Sequence, residues 1–367
     1  MRMNDRERIL TLLRGDAPDR VPWFGDMAYW YYAAQMRGDL PPQYEGDGLF
    51  QLHRDLGLGF YLQGYFPFTE TCPGCEREVR REGDEITTVI RTPRGALTEV
   101  SQYLPLSFST GCVKHFVETP ADLPAFEYYL EHLTYAPDYG EAQRRRELVD
   151  GQGVVLCYAP RSPFMQLVTT YTGLTNLVYL LMDEPERMAR LLALMERQHD
   201  IAAALAADSP AECVMIPENL SSEVVGERYY LEYLRPYERR WVEGIRERGK
   251  FSFIHMDGTL RGLLRQVAET GFDVIEAATP LPAGDIPMEE AAELVGGRSI
   301  LWGGLPGALF SPTAREEDFI AHTIRMLELM RREPRFVLGV ADQVPPDGLL
   351  ERVGMVAPLC ERFGRYS

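Results

Sequence analysis

The sequence predicts an α/β protein, a TIM (β/α)8 barrel with an inserted β-hairpin region, and three observations carry that expectation. Short apolar runs alternate with helical patterns along most of the chain. Eight such runs can be counted, starting near Val21, Leu58, Val154, Cys213, Phe251, Phe272, Ser299 and Phe336. Polar, chemistry-bearing residues follow the ends of several of them, where a barrel of this kind builds its site.

Composition sets the outer bounds. At 367 residues the chain suffices for one large α/β barrel, and 45% hydrophobic with 25% charged residues is ordinary for a globular protein. A formal charge of −17 argues against a nucleic-acid partner, which would require clustered Lys and Arg. No apolar run reaches the roughly 20 residues needed to span a bilayer. The N-terminus leads straight into a helix and lacks a signal peptide's apolar core, so a cytoplasmic enzyme with a small-molecule substrate is expected. A homodimer is the default assembly.

In chain order, Asn4 and Glu7 are spaced as a capping box, ahead of the apolar stripe Ile9, Leu10, Leu12 and Leu13. The strand candidate Val21–Asp26 is followed by the aromatic run Tyr29-Trp30-Tyr31-Tyr32, which can line a pocket or simply pack. A helix near Gly48–Leu56 precedes the run Leu58–Phe66. Between about 76 and 106, apolar residues separated by Gly83-Asp84-Glu85 and Pro93-Arg94-Gly95 read as antiparallel hairpins, an excursion able to cover a pocket. Cys72-Pro73-Gly74-Cys75 has the spacing of half a zinc ribbon or a redox pair. With no second such motif, two reduced thiols in a turn is the favoured reading. A long helix is expected from Asp183 to about Ala206, and another from about Gly226 to Arg248. No flexible linker divides the chain, so residues 1–367 read as one domain.

The stretch Phe251-Ser252-Phe253-Ile254-His255-Met256-Asp257-Gly258 focuses the functional reading. A buried strand delivers His255 and, two residues on, Asp257, so extended backbone points both side chains the same way. An imidazole and a carboxylate together can hold a metal or move a proton, or form a buried structural pair. Strand ends elsewhere contribute Asp26, Arg161, Glu218, Asn219, Glu276 and Asp342. Several carboxylates beside one His suit an oxygen-rich divalent metal site, or an acid–base pair with split pKa values. Arg161 can offset that charge or hold an anionic substrate, with Asn219, Tyr29 and Glu276 as further substrate contacts. The alternatives are a turn cap for Asp26, an Arg161 salt bridge for Glu276, and a helix cap near Pro346 or Asp347 for Asp342. Trp302-Gly303-Gly304 is too generic to be read as a phosphate cradle.

Taken together, Arg6–Leu10 through Pro18-Asp19-Arg20-Val21-Pro22, Arg91–Glu99, Tyr233-Leu234-Arg235-Pro236-Tyr237, the His255 stretch, Trp302-Gly303-Gly304 and Gln343-Val344-Pro345-Pro346 have the order and spacing of a known group. The chain resembles the uroporphyrinogen decarboxylase superfamily, especially its corrinoid-linked methyltransferase branch. That resemblance implies a TIM barrel, and a zinc site with a His-x-Cys-Gly motif, a later Cys and an acidic residue. Here His255 and Gly258 keep their places, Asp257 and Asp342 stand at the two Cys positions, and Glu218 matches the acidic position. Carboxylates in place of thiolates make a metal site at Glu218, His255, Asp257 and Asp342 harder, suited to Mn, Mg, Fe or a less thiophilic Zn. The resemblance also implies a corrinoid methyl donor and a corrinoid protein as partner. The decarboxylase branch holds its substrate with an Arg-rich segment after the first strand, whereas this chain has Gly25-Asp26-Met27-Ala28-Tyr29-Trp30. Methyltransferase-like chemistry is therefore the leading expectation, with Glu218, His255, Asp257 and Asp26 as catalytic candidates. A metal-free decarboxylase or lyase, in which Asp26 or Glu218 donates a proton, is the second. A non-catalytic corrinoid- or ligand-binding barrel is the third.

Overall fold

The computed structural model describes residues 3–61 and 64–366, so Leu62 and Gln63 of the second apolar run lie outside the described residues. By their contacts the residues cluster into two compact units. One comprises Met1–Phe66, Tyr139–Tyr158 and Ala207–Ser367, and the other Pro67–Asp138 and Ala159–Ala206.

The first unit contains a six-stranded parallel sheet. Its strands are Leu156–Tyr158, Cys213–Leu220, Phe251–Met256, Val274–Ala278, Ile300–Pro306 and Phe336–Ala341, each beside the next in the chain. The last two are buried along their whole length, as expected of parallel strands covered on both faces. Helices Arg235–Glu247, Leu264–Thr270, Met288–Val295 and Glu316–Met330 alternate with the later strands, and Leu350–Phe363 ends the series. The architecture is α/β and consistent with a TIM barrel.

Among the described residues, the two earliest strand candidates appear as isolated parallel bridges: Trp23 with Leu338, Phe24 with Gly59, and Phe60 with Gly153. Pro22 has no N–H to give a ladder. Gly153 permits a close approach, since a Cβ there would lie 1.8 Å from the Phe60 carbonyl oxygen.

Side chains on the sheet pack Phe24, Tyr61, Phe253 and Trp302 together. The Trp302 ring centroid lies 4.3 Å from Tyr61, 5.3 Å from Phe24 and 5.7 Å from Phe253. Truncating Trp302 to alanine removes this filler, at a cost of about 3–5 kcal/mol.

Local signals in this unit agree with the sequence. Asn4 Oδ1 accepts from Glu7 N at 2.8 Å and Glu7 Oε2 from Asn4 N at 2.9 Å, a complete capping box for Asp5–Leu13. In Arg235–Glu247, Tyr237, Glu238, Trp241, Val242 and Ile245 form the buried stripe, with one carboxylate among apolar neighbours.

The second unit holds a four-stranded antiparallel sheet of Glu76–Glu82, Glu85–Thr92, Gly95–Leu104 and Ser109–Lys114, paired in that order. Phe68–Thr71 pairs antiparallel with Thr134–Pro137. In the turn between them and the sheet, Cys75 N donates to Cys72 O at 3.1 Å and Gly74 takes φ 83°, the form that Pro-Gly favours at the centre of a type II turn. Both thiols are free. No helix among the described residues is long and apolar enough to cross a membrane.

Candidate active site at the strand ends

Strand register brings the central pair together. His255 on Phe251–Met256 stands directly opposite Glu276 on Val274–Ala278, so their side chains leave the sheet as neighbours. His255 Nδ1 lies 2.6 Å from Glu276 Oε2, and the other oxygen, Oε1, accepts from the Tyr61 hydroxyl at 2.8 Å. Glu276 and Tyr61 are fully buried, and His255 nearly so. The second imidazole nitrogen, Nε2, is 3.9 Å from Asp342 Oδ1. Tyr61, Glu276 and His255 thus form a continuous chain that ends at Nε2.

Electrostatics follow from that chain. Burial works against an imidazolium, but the charge and hydrogen bond of Glu276, helped by Asp257 and Asp342, push His255 up to about 9. Burial, with Glu276 and Asp26 adding negative charge, drives the Tyr61 hydroxyl well above its usual range, so it remains a donor. The outcome is a protonated imidazole whose orientation is set from behind.

The other sequence-derived residues are placed as follows. Asp257 is half-buried just past the His255 strand, its N–H donating to Leu220 O at 3.2 Å. Asp342 is exposed, with φ 72°. It caps no helix near Pro346, because the final helix starts at Leu350 with Leu349 at its N-cap. Tyr29 lies close enough for the Asp342 charge to raise its hydroxyl further, after burial. Asp26 is buried, and its Oδ1 accepts from Ala28 N at 2.6 Å while its carbonyl accepts from Val344 N at 3.0 Å. It therefore caps the turn into the aromatic helix Ala28–Arg37, where Trp30 and Tyr31 are buried. Glu218 is fully buried in Cys213–Leu220, and Asn219 beside it is exposed at φ 53°. Arg161 belongs to the second unit, where its carbonyl is 2.8 Å from His199 Nδ1. Glu276 has Tyr61 and His255 as its hydrogen-bond partners, which makes it a support for the imidazole.

Backbone strain collects in the same region. Among the described residues, five other than glycine have positive φ, and three of them, Asn219, Ala277 and Asp342, lie at the C-terminal ends of strands. Such conformations cost on the order of 1–3 kcal/mol each and gather where a site demands them. Gly303 explains part of the Gly-Gly pair: at φ 151° its added Cβ would lie 2.3 Å from Ala278 O, so the pair serves a close strand approach.

Sequence reasoning missed Tyr61 as a site residue, although it lies within the apolar run Leu58–Phe66 counted as a strand candidate. It also missed Glu238. This carboxyl is fully buried, its Oε2 accepts from the Tyr230 hydroxyl at 2.7 Å, and Tyr230 also meets Thr270 Oγ1 at 2.7 Å. Burial and the neighbouring Glu218 charge raise Glu238 well above the carboxylate range. An acidic residue on an otherwise apolar helical stripe was the available signal.

The metal expectation is tested by the donor set itself. Among the described residues, no group of three or more His, Cys, Asp or Glu side chains is placed to hold a metal ion. His255 Nδ1 is held by Glu276, which leaves Nε2 as the nitrogen able to meet a ligand. As placed, Glu218, His255, Asp257 and Asp342 do not converge as a metal centre among the described residues.

Comparison with known proteins adds the family. A methyltransferase from Methanosarcina mazei superposes with a TM-score of 0.62 at 15% identity, over 98% of this chain and 99% of that one. At that identity the likeness shows a shared fold. No curated protein matches in sequence. The family model for uroporphyrinogen decarboxylase (URO-D) matches residues 145–363. That span covers all six strands of the parallel sheet and carries Glu218, His255, Asp257, Glu276 and Asp342, and the chain belongs to the URO-D family.

Proposed function

We propose that the chain is an enzyme that transfers a methyl-like group to or from a small molecule, with His255 as the acid–base residue. The observation that carries this reading is the Tyr61–Glu276–His255 chain, which fixes the imidazole and leaves Nε2 facing Asp342. Family membership and the fold shared with a methyltransferase support the reaction class. We read the three bridges at Trp23, Phe24 and Phe60 as the closure of an eight-position barrel around this site.

The chemistry follows from protonation. With its pKa at about 9, His255 carries its proton at neutral pH. Nε2–H can then be given to a substrate heteroatom as a nucleophilic acceptor displaces its methyl group, the acceptor's electron pair forming the new bond to carbon and the old bond's pair staying on the heteroatom. The neutral imidazole keeps Nδ1–H on Glu276, so its orientation survives the transfer. Glu276 is a positioning residue, since both its oxygens are engaged. Asp257 and Asp342 keep the proton on His255 until a substrate takes it. Asn219 and Tyr29 are the proposed substrate contacts in this unit, and Asp26 and Glu218 are two further buried carboxylates proposed for the site. In the decarboxylase reading, the same proton goes to the carbon that loses carbon dioxide.

The test is demethylation of methoxy- or methylthio-substituted aromatics with cob(I)alamin as the nucleophilic acceptor, beside carbon dioxide release from uroporphyrinogen, with His255→Ala as control. Methyl transfer that His255→Ala abolishes supports the proposal. Carbon dioxide release without methyl transfer would replace it with the decarboxylase reading. Ligand binding unaffected by His255→Ala, with neither reaction, would leave a ligand-binding barrel.

A further inference from the structure

The turn Cys72-Pro73-Gly74-Cys75 lies in the second unit, and nothing proposed for the His255 site uses it. Its ends are fixed from both sides. Thr71, just before it, pairs with Thr134, and the two hydroxyls are hydrogen-bonded at 2.8 Å. Glu76, just after it, pairs with Arg91 in the four-stranded sheet. Two separate sheets therefore clamp this short connection.

Within the turn, Cys75 N donates to Cys72 O at 3.1 Å, and Gly74 at φ 83° takes the left-handed position that Pro73 prepares. A turn of this type brings its first and last Cα atoms within about 7 Å, the limit for a disulfide. The side chains also face each other, with the Cys72 thiol placed to hydrogen-bond Cys75. Both thiols are half-buried and unbridged, so the pair stands in its reduced form.

The two sulfurs are not equivalent. Cys72 Sγ donates to Tyr129 O at 3.6 Å, near the end of the helix Leu123–Glu131. Burial first, then the hydrogen bond and charge of Cys75, push the Cys72 thiol up to about 12, with Glu70 adding to the effect. Cys72 thus keeps its hydrogen, and the attacking thiolate has to form at Cys75, where the Cys72 S–H can donate to it. A bridge over so short a loop constrains the unfolded chain little, so it belongs with reducible disulfides and not with structural staples.

We propose that Cys72 and Cys75 are a redox-active dithiol that exchanges with a small-molecule disulfide, Cys75 attacking first. The Cys75 thiolate attacks one sulfur of the reagent, forming a mixed disulfide and expelling a thiolate that takes up the proton Cys75 has lost. Cys72 then gives up its proton and attacks Cys75 Sγ, forming the Cys72–Cys75 bond and releasing the second half of the reagent as a thiol. Two electrons pass from the protein dithiol to the small disulfide, and the exchange runs backward in excess thiol. The site is separate from His255 and does not depend on the reaction proposed there.

Incubation of the full chain with excess oxidised glutathione, followed by alkylation and peptide mass mapping, tests this. The peptide carrying both residues is expected to escape alkylation and to weigh two hydrogens less than its reduced form. Reduced glutathione should return it to the form that alkylates. In Cys72→Ser, the mixed disulfide with glutathione is expected to accumulate at Cys75. In Cys75→Ser, Cys72 should react at least about tenfold more slowly than Cys75 does in Cys72→Ser. His255→Ala should leave the exchange unchanged. Full alkylation of both residues after the oxidised reagent, a bridge that reduced glutathione does not reopen, or equal rates in the two serine variants would each overturn the proposal.

Discussion

His255 Nδ1 and Glu276 Oε2 stand 2.6 Å apart because their strands are paired in register, residue opposite residue. One sheet ladder therefore sets the protonation state of the candidate acid–base group. Replacing Glu276 by glutamine keeps the shape and removes the charge. The His255 pKa, followed by NMR titration, should fall from about 9 toward or below its ordinary value of 6.5. The raised pKa also has a stability consequence: the contribution is fully present below about pH 6.5 and is lost as pH rises toward 9. Urea unfolding should show wild type losing on the order of 2 kcal/mol across that window, and Glu276→Gln losing much less. An unmoved His255 pKa in the variant would contradict the assigned support.

Tyr61 is predicted to act through Glu276. Tyr61→Phe leaves Glu276 Oε1 buried without its donor, and the cost should be about 1–3 kcal/mol in urea unfolding. A loss below about 0.5 kcal/mol would show that the hydroxyl contributes little.

Glu238 provides a pH test of its own. Burial and the charge of Glu218 keep its carboxyl protonated in the folded state, while the unfolded chain ionises near 4.5. The native state then binds the extra proton, so this contribution is fully present below about pH 4.5 and declines as pH rises. Glu238→Gln, which cannot ionise, should be close to wild type at pH 5 and more stable than wild type at pH 8. Equal pH slopes for the two proteins would show that Glu238 is ionised when folded.

Metal analysis follows from the donor geometry. With no three ligating side chains converging among the described residues, protein purified without an affinity tag should hold well under one equivalent of Zn, Mn or Fe. Chelation should leave its melting temperature unchanged. A stoichiometric divalent ion lost in both His255→Ala and Asp257→Ala would require the side chains to rearrange around it.

Much of this protein was legible in the sequence because the relevant physics is local. The period of apolar residues gave six of the eight expected strands as a parallel sheet, and the Asn4–Glu7 spacing gave the first helix cap. The abrupt polar end of the Phe251 run marked His255, and spacing placed Asp257 past its end. Other features depend on what approaches from elsewhere in the chain. Whether Val21 and Leu58 start full strands or single bridges depends on backbone partners far away, at Leu338 and Gly153. Glu276 read as a substrate contact until the register put its oxygens on Tyr61 and His255, and Tyr61 itself carried no signal of its own. Two patterns, period and spacing, were enough to mark candidate strands and a polar strand end. Only the tertiary structure decided which carboxylate meets the imidazole, because hydrogen bonds and Coulomb terms act over a few ångströms between residues that the sequence separates by as many as 215 positions.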